Sequence, residues 1–145
     1  MKPVSELFNN RTGSSNTLWS VKPDDTVFEA IKVLAERGVG ALIVMEKGKL
    51  VGIVSERDYT RKIALQGKNS KEALVRDIMT ANVLVVNPRT RTRECMAIMS
   101  EKNIRHLPVV DGDTVVGMLS IRDLMNDIIR DHEFTISQLE SYIKG

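Results

Sequence analysis

The sequence carries a single cysteine, Cys95, so no disulfide can form within the chain, and the lone thiol fits a reducing compartment. Aromatic residues make up only 4%, which removes the stacking platforms used by binders of single-stranded nucleic acid. The longest apolar stretch, "VGALIVM" (39–45), is far too short to cross a bilayer. The opening "MKPVSELFNN" lacks the apolar core of a signal peptide. Net charge is only +2, with lysines and arginines interspersed among acids. The pI of 8.8 therefore comes without the basic stripe of a nucleic-acid binder. No Walker loop, Rossmann glycine triplet, HExxH, CxxC or Ser/His/Asp order is present. These absences read as a cytoplasmic protein that is not an enzyme, with no catalytic and no metal-binding residues, no membrane partner and no nucleic acid.

What is present is a phrase written twice. "GIVSERD" occupies 52–58 and "GMLSIRD" 117–123, 65 positions later. At that shift residues 21–58 align with 86–123 without a gap, and 11 of the 38 pairs are identical. Upstream, "VSELF" (4–8) echoes "VRDIM" (75–79) at a shift of 71, which places about six extra residues in "RTGSSN" (11–16). Two copies are too few for a solenoid or propeller; a paired module is expected.

Each copy predicts the order β-α-β-β-α. Val27, Ala30, Ile31 and Leu34 recur at helical spacing with Gly38 as the stop, and Met96, Ile98 and Met99 do so ahead of Asn103. Short apolar runs flank the turns "EKGK" and "DGDT" as buried hairpin strands. Second helices are expected over about 56–66 and 121–130. A separate amphipathic helix is expected at "FTISQLESYI" (134–143), with Phe134, Ile136, Leu139, Tyr142 and Ile143 on or near one face. Cys95 reads as core and His132 as a solvated linker residue.

A serine after a strand with an acid three residues later is a capping box, Ser55 with Asp58 and Ser120 with Asp123. Three features add a binding reading. Gly52 and Gly117 fall inside strands, where glycine often marks close approach of a ligand. The strand-to-helix corner aims backbone N–H groups at one point. Arg57 and Arg122 supply a planar fork for phosphate oxygens, and a carboxylate accepts from ribose hydroxyls. Serine, arginine and aspartate together describe a ribose-phosphate site.

With the "VxP" openings, "RHLPVVD" and the two "S-x-R-D" phrases, the chain from Val4 to about Arg130 resembles the cystathionine-β-synthase (CBS) domain family, as a stand-alone tandem pair. That resemblance implies an α/β (α+β) fold of two pseudo-symmetric repeats packed as one Bateman module, plus a C-terminal helix. The expected boundaries are 1–68 for the first repeat with the N-terminal segment, 69–131 for the second, and 132–145 for the final helix. It also implies an adenine-nucleotide-binding regulatory or sensor module, with the ligand in the cleft between copies and an unidentified regulated protein as its partner. AMP is the first expectation, NAD the next, ATP or ADP the alternatives, and S-adenosylmethionine an occasional ligand of such modules. Carried over by position, Asp58 and Asp123 take ribose hydroxyls, Ser55 and Ser120 lie near phosphate or ribose, and Arg57 and Arg122 hold phosphate. Val39, Gly40 and Ala41 begin a hairpin strand and leave room for a purine; their counterparts Ile104, Arg105 and His106 include two bulky polar residues suited to phosphate, so the two sites are expected to differ. Arg57, Arg105, Arg122 and His106 suffice for one or two phosphates, and no lysine-rich loop offers a third. The alternatives are a scaffolding pair with vestigial sites or, prompted by the pI alone, a nucleic-acid binder. Apolar residues on the helices after the phrase, Tyr59, Ile63, Leu65, Leu124, Ile128 and Ile129, predict a homodimer, as such modules form, with the last helix adding to the seam.

Overall fold

The structure, a computed structural model, describes residues 2–9 and 18–144; "RTGSSN" (11–16) lies outside them. By its contacts the chain divides into two units. One comprises Met1–Asn16, Val85–Gly112 and Val116–Gly145, the other Thr17–Leu84 and Asp113–Val115. The N-terminal segment, expected with the first repeat, thus belongs with the second.

In the unit built on the first repeat, β1 (Ser20–Val21) leads to α2 (Val27–Arg37), β2 (Ala41–Glu46), β3 (Lys49–Ser55) and α3 (Glu56–Tyr59). The strands form one sheet in the order β1-β2-β3, parallel then antiparallel. Thr26 caps α2 by accepting from the Glu29 N–H, and Gly38 ends it at φ 64°, a left-handed value glycine adopts without strain. α3 continues into a π-helical turn, Thr60–Ala64, whose i→i−5 bonding persists to the Lys68 N–H on the Ile63 carbonyl at 3.0 Å. A short helix, α4 (Val75–Ile78), then returns to the same core: Val75 and Ile78 join Val27, Leu34, Leu42, Val44, Val54 and Ile63 in one apolar cluster.

The other unit repeats the pattern. α5 (Thr92–Lys102) ends on Asn103 at φ 53°, the one non-glycine type besides aspartate that tolerates this cap readily. β4 (His106–Asp111) and β5 (Thr114–Ser120) pair as a hairpin. The strand that would correspond to β1 shrinks to a single parallel bridge, Val86 with Val109. Pro108 accounts for this. Its carbonyl accepts the Val86 N–H at 3.0 Å, but it has no N–H for the next rung; Ile43 stands at the matching place and pairs with Ser20. The core here is Val86, Cys95, Met99, Leu107, Val109, Leu119 and Leu124, completed by Val4 and Leu7 of α1 (Val4–Asn9).

α1 and α4 are the two "V-x-x-[LI]-[FM]" echoes, and each plugs a strand glycine. A Cβ on Gly117 would stand 2.8 Å from two ring carbons of Phe8; one on Gly52 would stand 2.6 Å from Met79 Sδ and 3.1 Å from the Thr80 carbonyl oxygen. These glycines make room for the chain's own side chains, which replaces the expectation that they mark a ligand's approach. α1 is fixed by Val4 and Ser5 N–H groups on the Thr90 and Pro88 carbonyls, at 2.9 and 3.0 Å.

The last helix also differs from expectation. α6 runs unbroken over Ile121–Lys144, 24 residues, so the two helices expected at 121–130 and 134–143 are one. The intervening "RDHEF" holds neither glycine nor proline to break it. His132 accordingly lies mid-helix, exposed, rather than in a linker. Ile63 and Leu124, assigned to a dimer seam by sequence, are each 1% exposed within their own unit's core, whereas Leu65 and Ile129 do face outward.

Candidate functional site: two serine–arginine–aspartate corners

The chemistry-bearing residues gather at the same corner of each unit. In the first, Ala41 pairs with Ser55 across β2 and β3, and the Glu56 N–H donates to the Gly40 carbonyl at 3.1 Å. Val39, Gly40 and Ala41 are thereby set beside the start of α3, which carries Arg57 and Asp58. In the second, the Ile121 N–H donates to the Arg105 carbonyl at 2.9 Å, which sets Arg105 and His106 beside the start of α6 with Ser120, Arg122 and Asp123. Val39, Gly40, Ala41, Ser55, Arg57 and Asp58 thus lie at the first corner and Arg105, His106, Ser120, Arg122 and Asp123 at the second, whereas Gly52 and Gly117 lie further back in their strands.

Both capping boxes are formed. The Ser55 N–H donates to Asp58 Oδ2 at 2.9 Å, its hydroxyl donates to the same oxygen at 3.1 Å, and the Asp58 N–H donates back to Ser55 Oγ at 3.3 Å. The Ser120 N–H lies 2.8 Å from Asp123 Oδ2, and the Asp123 N–H 3.1 Å from Ser120 Oγ. The chain thus uses two of the first-turn N–H groups at each corner for itself, one on the strand carbonyl and one on the serine. Less of the expected N–H focus is left for an anion, and α3 is only four residues long. What each corner does present is a half-buried carboxylate fixed through one oxygen by its own cap.

The corners differ in what faces that carboxylate. Lys62 Nζ lies 3.4 Å from Asp58 Oδ1 and donates to the Ile78 carbonyl at 2.8 Å. The matching position in the second copy, 65 residues on, is Asp127, buried at 3% exposure. It accepts from Lys2 Nζ at 2.8 Å, with Asp131 at 3.4 Å from the same ammonium, and these carboxylates hold the Lys2 pKa above its ordinary value. One column, with opposite charge in the two copies, ties down the segment bearing α4 in one unit and α1 in the other. Sequence reasoning missed Lys62, Lys2 and Asp127, although comparing column 62 with 127 displays the inversion. At the second corner an imidazole, His106, stands near Asp123 in place of an ammonium. Burial pushes its imidazole below the ordinary value, Asp123 pulls it up, and Arg105 pushes it down.

Cys95 is fully buried, and its thiol is pushed up to about 11, chiefly by burial with Glu94 adding. It is core, as the sequence indicates. Among the described residues no group of three His, Cys, Asp or Glu could hold a metal ion, and no helix is long and apolar enough to cross a membrane.

Known proteins share this fold. The family model for the CBS domain matches twice, at residues 14–65 and 75–130. A CBS domain-containing protein of Arabidopsis thaliana, named CBSX3, mitochondrial, is 36% identical over 98% of this chain and 72% of its own length. A solved signal-transduction protein with CBS domains from Burkholderia ambifaria is 45% identical with a TM-score of 0.86, covering 90% of this chain and 96% of that one. The CBS domain pair of a protein named MJ0100, solved with 5′-methylthioadenosine and S-adenosyl-L-methionine, is 26% identical with a TM-score of 0.76, covering 88% of this chain and 99% of that one. With the twice-built corner and two matched repeats, the chain belongs to the CBS domain family as a tandem pair.

Proposed function

We propose that the chain is a regulatory module that senses an adenosine-bearing nucleotide and performs no chemistry of its own. The observation that carries this reading is the corner built twice: a carboxylate pinned through one oxygen, with an arginine one residue before it. A pinned carboxylate accepts from both hydroxyls of a ribose without having to be ordered on binding, which lowers the entropic cost. Arg57, Arg105 and Arg122 supply charge for one or two phosphates. AMP stands first, NAD second, ATP or ADP after them. The methylthioadenosine and S-adenosylmethionine bound by the MJ0100 pair share the adenosine half and support that half of the assignment; for that reason both belong in the test. Cytoplasmic residence is kept within this reading, resting on the single buried thiol, whereas the Arabidopsis relative is named as mitochondrial.

α6 offers the way out for the signal. Its first turn carries Arg122 and Asp123, and 24 residues at ~1.5 Å each extend ~36 Å from that corner. A ligand that reorients the first turn reorients the whole rod, and with it the surface shown to a regulated protein.

Calorimetry and melting with AMP, ADP, ATP, NAD, S-adenosylmethionine, methylthioadenosine and a short DNA test the reading, because a ligand bound only to the folded state raises its melting point. Asp58→Asn and Asp123→Asn should each weaken binding about 5- to 150-fold, the equivalent of ~1–3 kcal/mol for ligand hydroxyls left unpaired. Ser55→Ala removes the hydroxyl that helps pin Asp58 and should lower stability and weaken affinity by less than Asp58→Asn does. A panel in which only DNA binds, or aspartate variants that bind like the wild type, would refute the sensor.

A further inference from the structure

At the first corner an ammonium stands beside the carboxylate without closing on it. Lys62 Nζ lies 3.4 Å from Asp58 Oδ1, well beyond the ~2.7–2.9 Å of a charge-assisted hydrogen bond. It bonds at full strength elsewhere, to the Ile78 carbonyl at 2.8 Å. The backbone at the end of α4, and not the carboxylate, therefore decides where the ammonium stands. Asp58 divides its oxygens in a similar way. Oδ2 takes the Ser55 N–H and hydroxyl at 2.9 and 3.1 Å, while Oδ1 has Lys62 at the looser distance. Neither group is sealed from solvent: the Asp58 side chain is 16% exposed and that of Lys62 42%.

An acid with a lysine four residues later is ordinarily a solvated helix pair, worth little at such exposure. Two observations go beyond that. Lys62 is held by an acceptor 16 residues away in sequence, so it keeps its place when another group takes Oδ1. It also stands in the π-helical turn Thr60–Ala64, an insertion frequent at functional sites. A hydroxyl has one proton to give and two lone pairs to offer. A carboxylate alone reads only the proton; a carboxylate and an ammonium together read both. A hydroxyl oxygen ~2.8 Å from each group closes a triangle on the 3.4 Å side without either having to move. The ammonium has a third proton for it, beyond those that Ile78 and Asp58 draw. We propose that Lys62 reads the sugar at the first corner: its ammonium donates to the ribose hydroxyl whose proton Asp58 accepts, so the pair selects ribose over deoxyribose. This role rests on the sensor reading and concerns the sugar alone.

The test is calorimetry on the full chain carrying Asp123→Asn, which confines the titration to the first corner. AMP is compared with 2′-deoxy-AMP and 3′-deoxy-AMP. In this parent, removing the hydroxyl that bridges the pair should weaken binding about tenfold or more, the scale of a hydrogen bond to a charged group. In Lys62→Met that penalty should shrink about fivefold or more. A lysine that only holds the fold together would weaken AMP and both analogues by one common factor and leave their ratio unmoved. If the methionine variant melts below the assay temperature, Lys62→Gln, neutral but still a donor, takes its place, and its ratio should fall likewise. No binding of AMP by the parent, or binding indifferent to Asp58→Asn, would overturn the sensor and this role with it. Binding that needs Asp58, with a ratio that neither Lys62 variant moves, would overturn this role alone.

Discussion

Gly117→Ala is the sharpest probe of what the repeated strand glycines do. An added Cβ meets the Cε2 and Cζ of Phe8 at 2.8 Å, closer than carbon atoms approach. The ring must move, but α1 is anchored by the buried Val4 and Leu7 and by two backbone bonds. Overpacking of this kind costs ~1–3 kcal/mol, which in a chain of this size lowers the melting point by ~3–9 °C. Phe8→Ala alone loses packing but vacates the seat. In that background the alanine meets open space and relieves the entropic penalty of a strand glycine, ~0.5–1 kcal/mol. Gly117→Ala should therefore change from destabilising to neutral or stabilising, a coupling of ~1–3 kcal/mol in a double-mutant cycle. Gly52→Ala should behave differently. Met79 can swing aside, but the Thr80 carbonyl oxygen at 3.1 Å belongs to a backbone bridge with Ile53, so Met79→Ala should rescue only part of the loss. Urea unfolding of the four Gly117/Phe8 combinations reads the cycle through the midpoint at constant slope. If Gly117→Ala were as stable as wild type, additive with Phe8→Ala, and lost nucleotide affinity, the glycine would be a ligand contact and the packing argument would fail.

Two further outcomes follow from the titrating groups. His106 is held below its unfolded value near 6.5, so the folded state binds fewer protons than the unfolded state just below that pH. Its contribution is fully present above about 6.5 and is lost as pH falls toward the depressed value. Urea midpoints should drop between pH 7 and 5 in the wild type and flatten in His106→Gln; an identical slope in the variant would remove His106 as the cause. Cys95, with its thiol near 11 and no exposure, should resist iodoacetamide at pH 8 and react at once in denaturant. Rapid labelling of the native protein would contradict the packing of α5 against α1.

The local devices were legible because each is decided within a few residues. Gly38 and Asn103 mark helix ends through the backbone conformation they alone tolerate cheaply, and Ser55 and Ser120 cap helices that their own aspartates complete. The destination of α1 was not legible. "VSELF" and "VRDIM" are both short apolar plugs of nearly equal shape, and either would seat over a strand glycine; which seat each takes rests on long-range contacts, such as the Pro3–Arg91 bridge, that no periodicity announces. The break expected near residue 131 failed for the opposite reason. Asp131, His132 and Phe134 are weaker helix formers and invite a boundary, yet without glycine or proline the helix has no physical stop.

The corners show where two copies of one phrase diverge. Serine, arginine and aspartate are kept in both, since the capping box alone requires serine and acid together. The residues that face the carboxylate are not kept: Lys62 becomes Asp127, Gly40 becomes Arg105, and Ala41 becomes His106. At the first corner a cation lies 3.4 Å from Asp58, and the neighbouring positions 40 and 41 hold small residues. At the second, Lys2 pairs with Asp127, and the groups near Asp123 include the half-buried His106 imidazole, which burial holds below its ordinary value. Equal capping with unequal surroundings means that the common phrase explains why both helices start, whereas columns 40 and 41 are the predicted source of any difference in ligand preference between the corners. Exchanging Gly40 with Arg105 and Ala41 with His106, while leaving both phrases and the Lys2–Asp127 pair intact, should therefore exchange the nucleotide preference of the two corners by calorimetry, and an unchanged preference would refute the reasoning.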